Sequence, residues 1–299
     1  MQREITMVRA LEALRGSNRF IFDASATVGV LALITAAGVF IDDRTVASQN
    51  VWIKPLKFSI SFSIYLLTIA WIIQYLPGAR RSNYSFAFVT FVIVEIVAIY
   101  IQAFRGQPSH HNFSTLLNGL MYGSMGVAIA LNTLLLIPLI FELKGSPSVL
   151  PLAYLRSLQL GIVMTILSSL IGLAMSVKGA HSIGGSDGGL GVPFFNWSLT
   201  LGDLRFAHFL GMHGIQGLIA IGYVTSISLR EKISESLALS LVTTTFLAFI
   251  FVVSLSLYIA FRGKPFFYPL NFASYSESQT QTKIAKSKKH LITPENSHE

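Results

Sequence analysis

Five of the seven histidines in this chain lie beside long apolar segments: His110, His111, His181, His208 and His213. Imidazole is the commonest metal ligand in proteins and the side chain that changes charge near neutral pH. If the apolar segments cross a membrane seven times, all five histidines lie at or near one membrane face. The sequence therefore predicts a polar site at that face, with His110, His181, His208 and His213 as candidate metal ligands.

Two of these histidines cannot form a metal site on their own. His208 and His213 are five residues apart, which is about 140° around a helix. A two-histidine clip on one helical face needs a spacing of three or four residues. A transition metal or haem would therefore need ligands from other segments, and the absence of cysteine excludes thiolate ligands. Redox chemistry at such a centre is the first functional hypothesis; the alternative is that each histidine hydrogen-bonds carbonyls and water at the headgroup level.

Polar side chains inside the apolar segments suggest a second function. Glu95 lies in the middle of VTFVIVEIVAIYIQAF, where a charged, unpaired carboxylate costs at least about 2.5 kcal/mol. We therefore predict a catalytic or proton-relay role for Glu95, or a protonated group bonded to a neighbouring helix. His213 lies two turns into its segment, and Gln216 follows one turn later on the same face as a candidate binding residue. Glu95 and His213 would line the pathway of a small-solute or ion transporter.

The glycine-rich run Gly184–Gly191 lacks the Gly-Lys-Ser/Thr ending of a phosphate loop and follows no strand, so it is not a nucleotide motif. It carries Asp187, the second candidate catalytic residue. Arg105, Asp203 and Arg205 border apolar segments on the same face and are candidate binding residues. Asp203 also has the position of a helix N-cap, which is a structural alternative to a binding role.

Composition predicts an integral membrane protein. The 299 residues are 52% hydrophobic and 12% charged, whereas a soluble domain is about 25% charged. A bilayer needs about 20 apolar residues per helix, and no segment alternates as a barrel strand does. The fold class is therefore all-α, a polytopic bundle of about seven transmembrane helices. The predicted spans are 20–41, 56–76, 84–104, 115–141, 152–175, 206–229 and 237–261.

Three parts of the chain follow from this pattern. Residues 1–19 are predicted to form an amphipathic segment, residues 20–269 a single bundle with a long loop at 176–205, and residues 270–299 a disordered basic tail. The net charge of +8 is scattered over loop ends and the tail, which argues against nucleic-acid binding. The lipid bilayer is the expected partner. A homo-oligomer, or an accessory role in a larger membrane complex, stays open.

Four motifs support a resemblance: WIKPLKFSISF, QAFRGQPSH, GGSDGGLGVPFFNWS and GDLRFAHFLGMHGIQ. Together they resemble a group of uncharacterised multi-pass bacterial membrane proteins, over most of the chain except the tail. The resemblance implies a location in the bacterial cytoplasmic (inner) membrane. It implies no activity, cofactor or catalytic residue.

Overall fold

The computed structural model describes residues 7–46, 49–145 and 150–267, and within these ranges the chain is almost entirely helical. The helices are α1 Met7–Ser17, α2 Arg19–Ile41, α3 Ile53–Ile73, α4 Gly78–Phe104, α5 Leu116–Lys144, α6 Leu152–Lys178, α7 Leu204–Tyr223 and α8 Glu235–Phe261. One turn of π-helix, Val224–Ser228, extends α7. The short strands are β1 Thr45–Val46, β2 Gln49–Asn50, β3 Ser182–Ile183 and β4 Gly202–Asp203. The predicted tail at 270–299 lies outside the described residues.

Seven of the helices, α2 to α8, are long and apolar enough to cross a membrane, which confirms the predicted fold class. Their outer faces carry large apolar side chains; Leu33, for example, is 73% exposed. Apolar surface of this extent requires a lipid bilayer around the bundle. The protein is therefore a multi-pass membrane protein.

Five helices begin earlier than the apolar segments predicted, α3 and α4 by the most, because helical structure continues beyond the lipid-spanning residues. Helix α3 starts at Ile53 rather than residue 56, so Lys54 and Lys57 lie in its first turns. Helix α4 starts at Gly78 rather than residue 84. Its early start is stabilised by Arg81, whose guanidinium donates to three backbone carbonyls near helix ends, those of Ser17, Gln74 and Leu76.

Small residues bring α6 and α7 into close contact. A Cβ added to Gly211 would lie 2.6 Å from Ser168 Oγ, and one added to Gly222 would lie 2.0 Å from Ser157 Oγ. Such close approach of helix backbones at small residues is the usual packing mode inside a membrane. The α6–α7 pair is thus a rigid wall against which the residues of α7 are positioned.

Three long connections meet on one side of the bundle: the first joins α2 to α3, the second α4 to α5 and the third α6 to α7. Arg44, in the first connection, donates to the Phe104 carbonyl at the end of α4 at 3.0 Å. Lys57, at the start of α3, donates to the Phe195 carbonyl of the third connection at 3.4 Å. Asp42 stabilises this arrangement because Arg44 and Trp52 both donate to it, and the hydrogen bonds from Arg44 lower the pKa of Asp42 well below its usual value.

The second connection folds back onto the bundle at Gly106. This glycine has a φ of 63°, and its amide donates to the Ala103 carbonyl while the Gln107 amide donates to the Gln102 carbonyl. These two bonds form a Schellman motif, which ends α4 and reverses the chain. Ser109 and Asn112 are consequently buried, and His110 is brought back toward the middle of α4.

Candidate functional site

Glu95 and His110 form a pair between α4 and the second connection, in which Glu95 is buried and His110 is partly exposed. Glu95 is only 6% exposed, and its Oε1 lies 3.6 Å from His110 Nε2. Its second oxygen, Oε2, is buried without a hydrogen-bond partner among the described residues. A buried polar atom without a partner is rare in folded proteins and marks a place where a proton, water or ligand belongs.

Glu95 lies within the membrane-spanning helix α4, nine residues before its end at Phe104. On the loop side of Glu95, Tyr100 contacts Ser59 at 2.9 Å, and on the other side Phe88 packs against the Tyr65 ring at 6.2 Å. Glu95 therefore lies at the level of the second turn of α3 after Lys54. At 1.5 Å per residue, this level is about 12 Å from Lys54 along the axis of α3.

Lys54 adds a positive charge to this pair. The Lys54 ammonium lies 5.8 Å from the Phe58 ring, which in turn packs at 5.8 Å against the His110 ring. Lys54 attracts the Glu95 carboxylate and repels a positive charge on His110. The three groups thus form one electrostatic unit in which the charge of each depends on the others.

His110 and His111 are both kept neutral by their surroundings. Burial lowers the pKa of His110 well below 6.5, and the positive charge of Lys54 lowers it further. Burial and Lys54 also lower the pKa of His111, whose Nδ1 lies 3.1 Å from the Tyr122 hydroxyl. His111 has a φ of 54°, and strained backbone of this kind concentrates at functional sites.

Contacts between His181 and Asp187 hold two parts of the long third connection together. Asp187 accepts hydrogen bonds from the backbone amides of His181 and Ser182 at 3.3 Å and 2.9 Å, and it lies 3.2 Å from His181 Nδ1. Burial, and next the charge of Arg205, lower the pKa of His181 to about 4. Burial alone would raise the pKa of Asp187, but the hydrogen bond from Ser182 and the charge of His181 lower it.

The pKa of His181 predicts that this connection loosens in mild acid. Its folded pKa of about 4 lies below the unfolded value of 6.5, so the folded loop binds the proton less tightly. The stability that results is fully present above pH 6.5 and is lost as the pH falls toward 4. The shift corresponds to roughly 3 kcal/mol. We expect hydrogen-exchange protection of residues 182–203, corrected for intrinsic rates, to fall by about 10–100-fold across this window.

His181→Asn is the matched control, because it keeps a polar side chain but cannot titrate. Protection of the same residues in His181→Asn should change little between these pH values. An equal loss of protection in both proteins would show that another group controls the loop. Asp187 does not compete for this window because its pKa lies below 3.8.

Asp203 and Arg205 hold the start of α7. Asp203 Oδ1 accepts from the Arg205 amide at 2.9 Å, which confirms the N-cap prediction, and Oδ2 accepts from the Ser198 amide at 2.7 Å. The Arg205 guanidinium pairs with the same carboxylate and also donates to the Asn196 carbonyl. Arg205 consequently faces the hairpin formed by residues 191–198. A binding role for both residues stays a prediction.

His208 and His213 leave α7 in different directions, as their spacing predicted. His208 Nδ1 lies 2.7 Å from the Ser168 carbonyl, and Ser168 Oγ donates to the His208 carbonyl at 2.6 Å. His208 is therefore a contact between α6 and α7. His213 packs against the Phe209 ring at 4.4 Å and interacts with Gln216, whose Nε2 donates to Thr68 Oγ1 of α3 at 3.1 Å.

The structure does not bring the four predicted metal ligands together. Each contacts a different partner: His110 contacts Glu95, His181 contacts Asp187, and His208 contacts Ser168 of α6. In the part of the chain that the structure describes, no group of three or more histidine, aspartate or glutamate side chains could hold a metal ion. The metal or haem hypothesis thus gains no support from the described residues.

No family model, curated protein or solved structure matches this chain. The resemblance seen in the sequence motifs therefore has no support from relatives, and function must be argued from geometry. Arg105, the remaining candidate, donates to Gln102 Oε1 and to Asn118 Oδ1, each at 2.7 Å. These bonds tie the end of α4 to α5.

A line of polar contacts along α3 was not predicted from the sequence. Tyr65 donates to Asn132 Oδ1 at 3.0 Å, Thr68 accepts from Gln216, and Trp71 donates to the Tyr154 hydroxyl at 2.7 Å. Each contact reaches a different helix: α5, α7 and α6. The 17 residues from Lys54 to Trp71 span about 26 Å, which is most of the hydrocarbon thickness. We refer to the contacts of Tyr65, Thr68 and Trp71 as the α3 polar line.

The signal for the α3 polar line was present in the sequence. Tyr65, Thr68 and Trp71 are each three residues apart, and Tyr75 follows after four, so they share a face of a helix. Tyrosine, threonine and tryptophan are common in membrane helices for ordinary reasons of packing. Only the partners Asn132, Gln216 and Tyr154 on other helices distinguish the line from a packing stripe.

Proposed function

We propose that this protein translocates protons across the membrane, with Glu95 and His110 as the proton-binding site. The observation that carries the proposal is the buried, unpartnered Oε2 of Glu95 beside a neutral imidazole. Ionisable groups inside membrane helices are typical of proton and ion pathways. This is the transporter alternative of the sequence analysis, with His110 in place of His213 as the closest partner of Glu95.

The proton would enter from the side of the long connections. The Tyr122 hydroxyl contacts His111 Nδ1, and the rings of both residues pack against His110. His110 Nε2 in turn lies 3.6 Å from Glu95 Oε1. A neutral imidazole accepts a proton on one nitrogen and releases one from the other, so His110 can pass a proton to the Glu95 carboxylate.

From Glu95 the proton would continue along the α3 polar line. Successive members are about 5 Å apart along the helix axis. One water molecule with two hydrogen bonds of about 2.8 Å bridges such a step. The line ends near Tyr75 and Tyr154, whose hydroxyls lie 3.1 Å apart toward the opposite face.

Two features favour proton binding over metal binding at this site. Lys54 places a positive charge beside Glu95 and His110, and that charge opposes the entry of a metal cation. A proton on Glu95, in contrast, needs one oxygen only. The bacterial cytoplasmic membrane that the motifs imply would supply the proton gradient.

The test is proton flux into liposomes that contain the purified protein. A potassium gradient with valinomycin imposes a membrane potential, and a trapped pH-sensitive dye reports internal pH. Wild-type protein should acidify the interior faster than protein-free liposomes. Flux equal to the passive leak, from protein that is folded and correctly inserted, would contradict the proposal.

One substitution in the same assay tests the α3 polar line. Thr68→Val keeps the side-chain shape and removes the hydroxyl that accepts from Gln216, so flux should fall several-fold, about 3–10-fold. Thr90→Val is the matched control, because Thr90 also bonds the carbonyl four residues earlier but faces outward from α4. Equal flux in the two variants would remove Thr68 from the pathway.

A further inference from the structure

We infer that Lys54, Lys57 and Arg205 form a binding site for a small organic carboxylate at the start of α3. The inference rests on the proposed function, because the ligand would bind together with the proton on Glu95.

The three cations lie near one another at the start of α3 and the tip of the hairpin. Lys54 and Lys57 lie three residues apart on one face of the first turns of α3, where the helix dipole is positive. Lys57 donates to the Phe195 carbonyl at 3.4 Å, and Arg205 donates to the carbonyl of the next residue, Asn196. The tip of one hairpin therefore brings Arg205 to the two lysines.

Of the three cations, only Arg205 has a salt bridge among the described residues. Arg205 pairs with Asp203, but among the described residues neither lysine has a carboxylate oxygen within 4.0 Å. Arg205 repels both lysines. The two lysines, rather than Arg205, therefore supply the charge that favours an anionic ligand, because its binding offsets their mutual repulsion.

Aromatic rings beside the two lysines indicate an organic ligand. The Phe58 ring lies 5.8 Å from the Lys54 ammonium, and the Phe194 ring lies 5.9 Å from that of Lys57. Phe195 stacks on Trp197 at 4.3 Å behind the hairpin tip. An apolar or aromatic body gains contact with these rings, whereas chloride or phosphate does not.

Glu95 couples the ligand to the proton. The ionised Glu95 carboxylate and a bound carboxylate would compete for Lys54, so the ligand binds better when Glu95 is protonated. Other charged or titratable groups lie near the site. They are His110, His111 and Asp187 on the side of Lys54, and Asp203 and His181 on the side of Arg205. The unpartnered Oε2 of Glu95 is the atom on which the proton would lie.

The experiment is calorimetric titration of the full-length purified protein with benzoate. Affinity should rise at least about tenfold between pH 8 and pH 6, because Glu95, Lys54 and Lys57 all favour the bound anion in their protonated forms. Titrations in buffers of different ionisation enthalpy should show net proton uptake on binding by the wild type. This measurement needs no variant, so it tests the site even where a substitution prevents folding.

Variants locate the site. Lys54→Gln and Lys57→Gln should each weaken benzoate binding at least about tenfold, while Lys54→Arg keeps most of the affinity. Lys144→Gln, an exposed lysine in the last turn of α5, should bind as the wild type does. Glu95→Gln should bind benzoate more tightly than the wild type does at pH 8 and should take up fewer protons on binding.

Absence of benzoate binding at both pH values would overturn the inference, as would equal affinities in Lys54→Gln, Lys57→Gln and Lys144→Gln. Equal competition by chloride or phosphate would overturn the organic class of ligand. If proton flux depends on Glu95 but benzoate does not bind, the anion site is contradicted and the proposed function is not. If benzoate binds but proton flux is unchanged in Glu95→Gln, the anion site is supported and the proposed function is contradicted.

Discussion

Glu95→Gln is expected to reduce potential-driven proton flux at least about 100-fold, down to the passive leak of the liposomes. Glutamine has nearly the same volume and hydrogen-bonding shape as a protonated glutamate but cannot take up and release a proton. The pair with His110, at 3.6 Å, would keep its geometry. The bundle should therefore fold normally and lose only the proton-binding site.

Glu142→Gln is the matched control for this substitution. Glu142 lies near the end of α5 on the opposite side of the membrane and pairs with Arg80 at 3.3 Å, outside the proposed pathway. Its glutamine variant should keep the flux of the wild type. Comparable losses in the two variants would indicate a general effect of removing a carboxylate rather than a role for Glu95.

Gly202→Ala is expected to destabilise the protein more than any other glycine-to-alanine change discussed here. A Cβ at Gly202 would lie 1.9 Å from the Ala260 carbonyl oxygen and 2.7 Å from its carbon, both of them backbone atoms of α8. Backbone inside a helix cannot rotate away, so β4 must separate from α8. We expect a loss of about 3 kcal/mol or more and a fall in Tm of about 6–12 °C.

The displacement would reach the candidate site, because Asp203 follows Gly202 and holds both Arg205 and the hairpin through Ser198. Gly189→Ala is the control within the same connection: a Cβ there meets only Thr200 Oγ1, at 3.7 Å, which is ordinary contact. Its Tm should stay within about 2 °C of the wild type. Equal Tm values for both variants would mean that β4 does not pack against α8 in this way.

The membrane fold could be predicted from the sequence because hydropathy alone determines which segments lie in lipid. All seven spans were found within a few residues. The starts of several helices were placed too late, since a helix continues through polar residues that hydropathy assigns to loops. This shift matters at Ile53, because it places Lys54 and Lys57 on a helix face rather than in a loop.

The site could be predicted only in part. Glu95 was recognisable because a carboxylate in an apolar segment is costly wherever the helix lies. Its pairing with His110 depends on the reversal at Gly106, and spacing along the chain does not reveal where a reversed loop ends. His208 was predicted as a metal ligand, but it contacts the Ser168 carbonyl of α6 instead. Any polar residue at a close helix crossing can make such a contact, so its residue type alone was misleading.

Infrared difference spectroscopy of the purified protein through a pH titration is the most direct test of the central claim, which is that Glu95 binds and releases a proton. The wild type should show the carbonyl stretch of a protonated carboxyl group that disappears as the pH rises. The band should be missing from Glu95→Gln and retained in Glu142→Gln. A wild-type difference spectrum identical to that of Glu95→Gln would contradict the account.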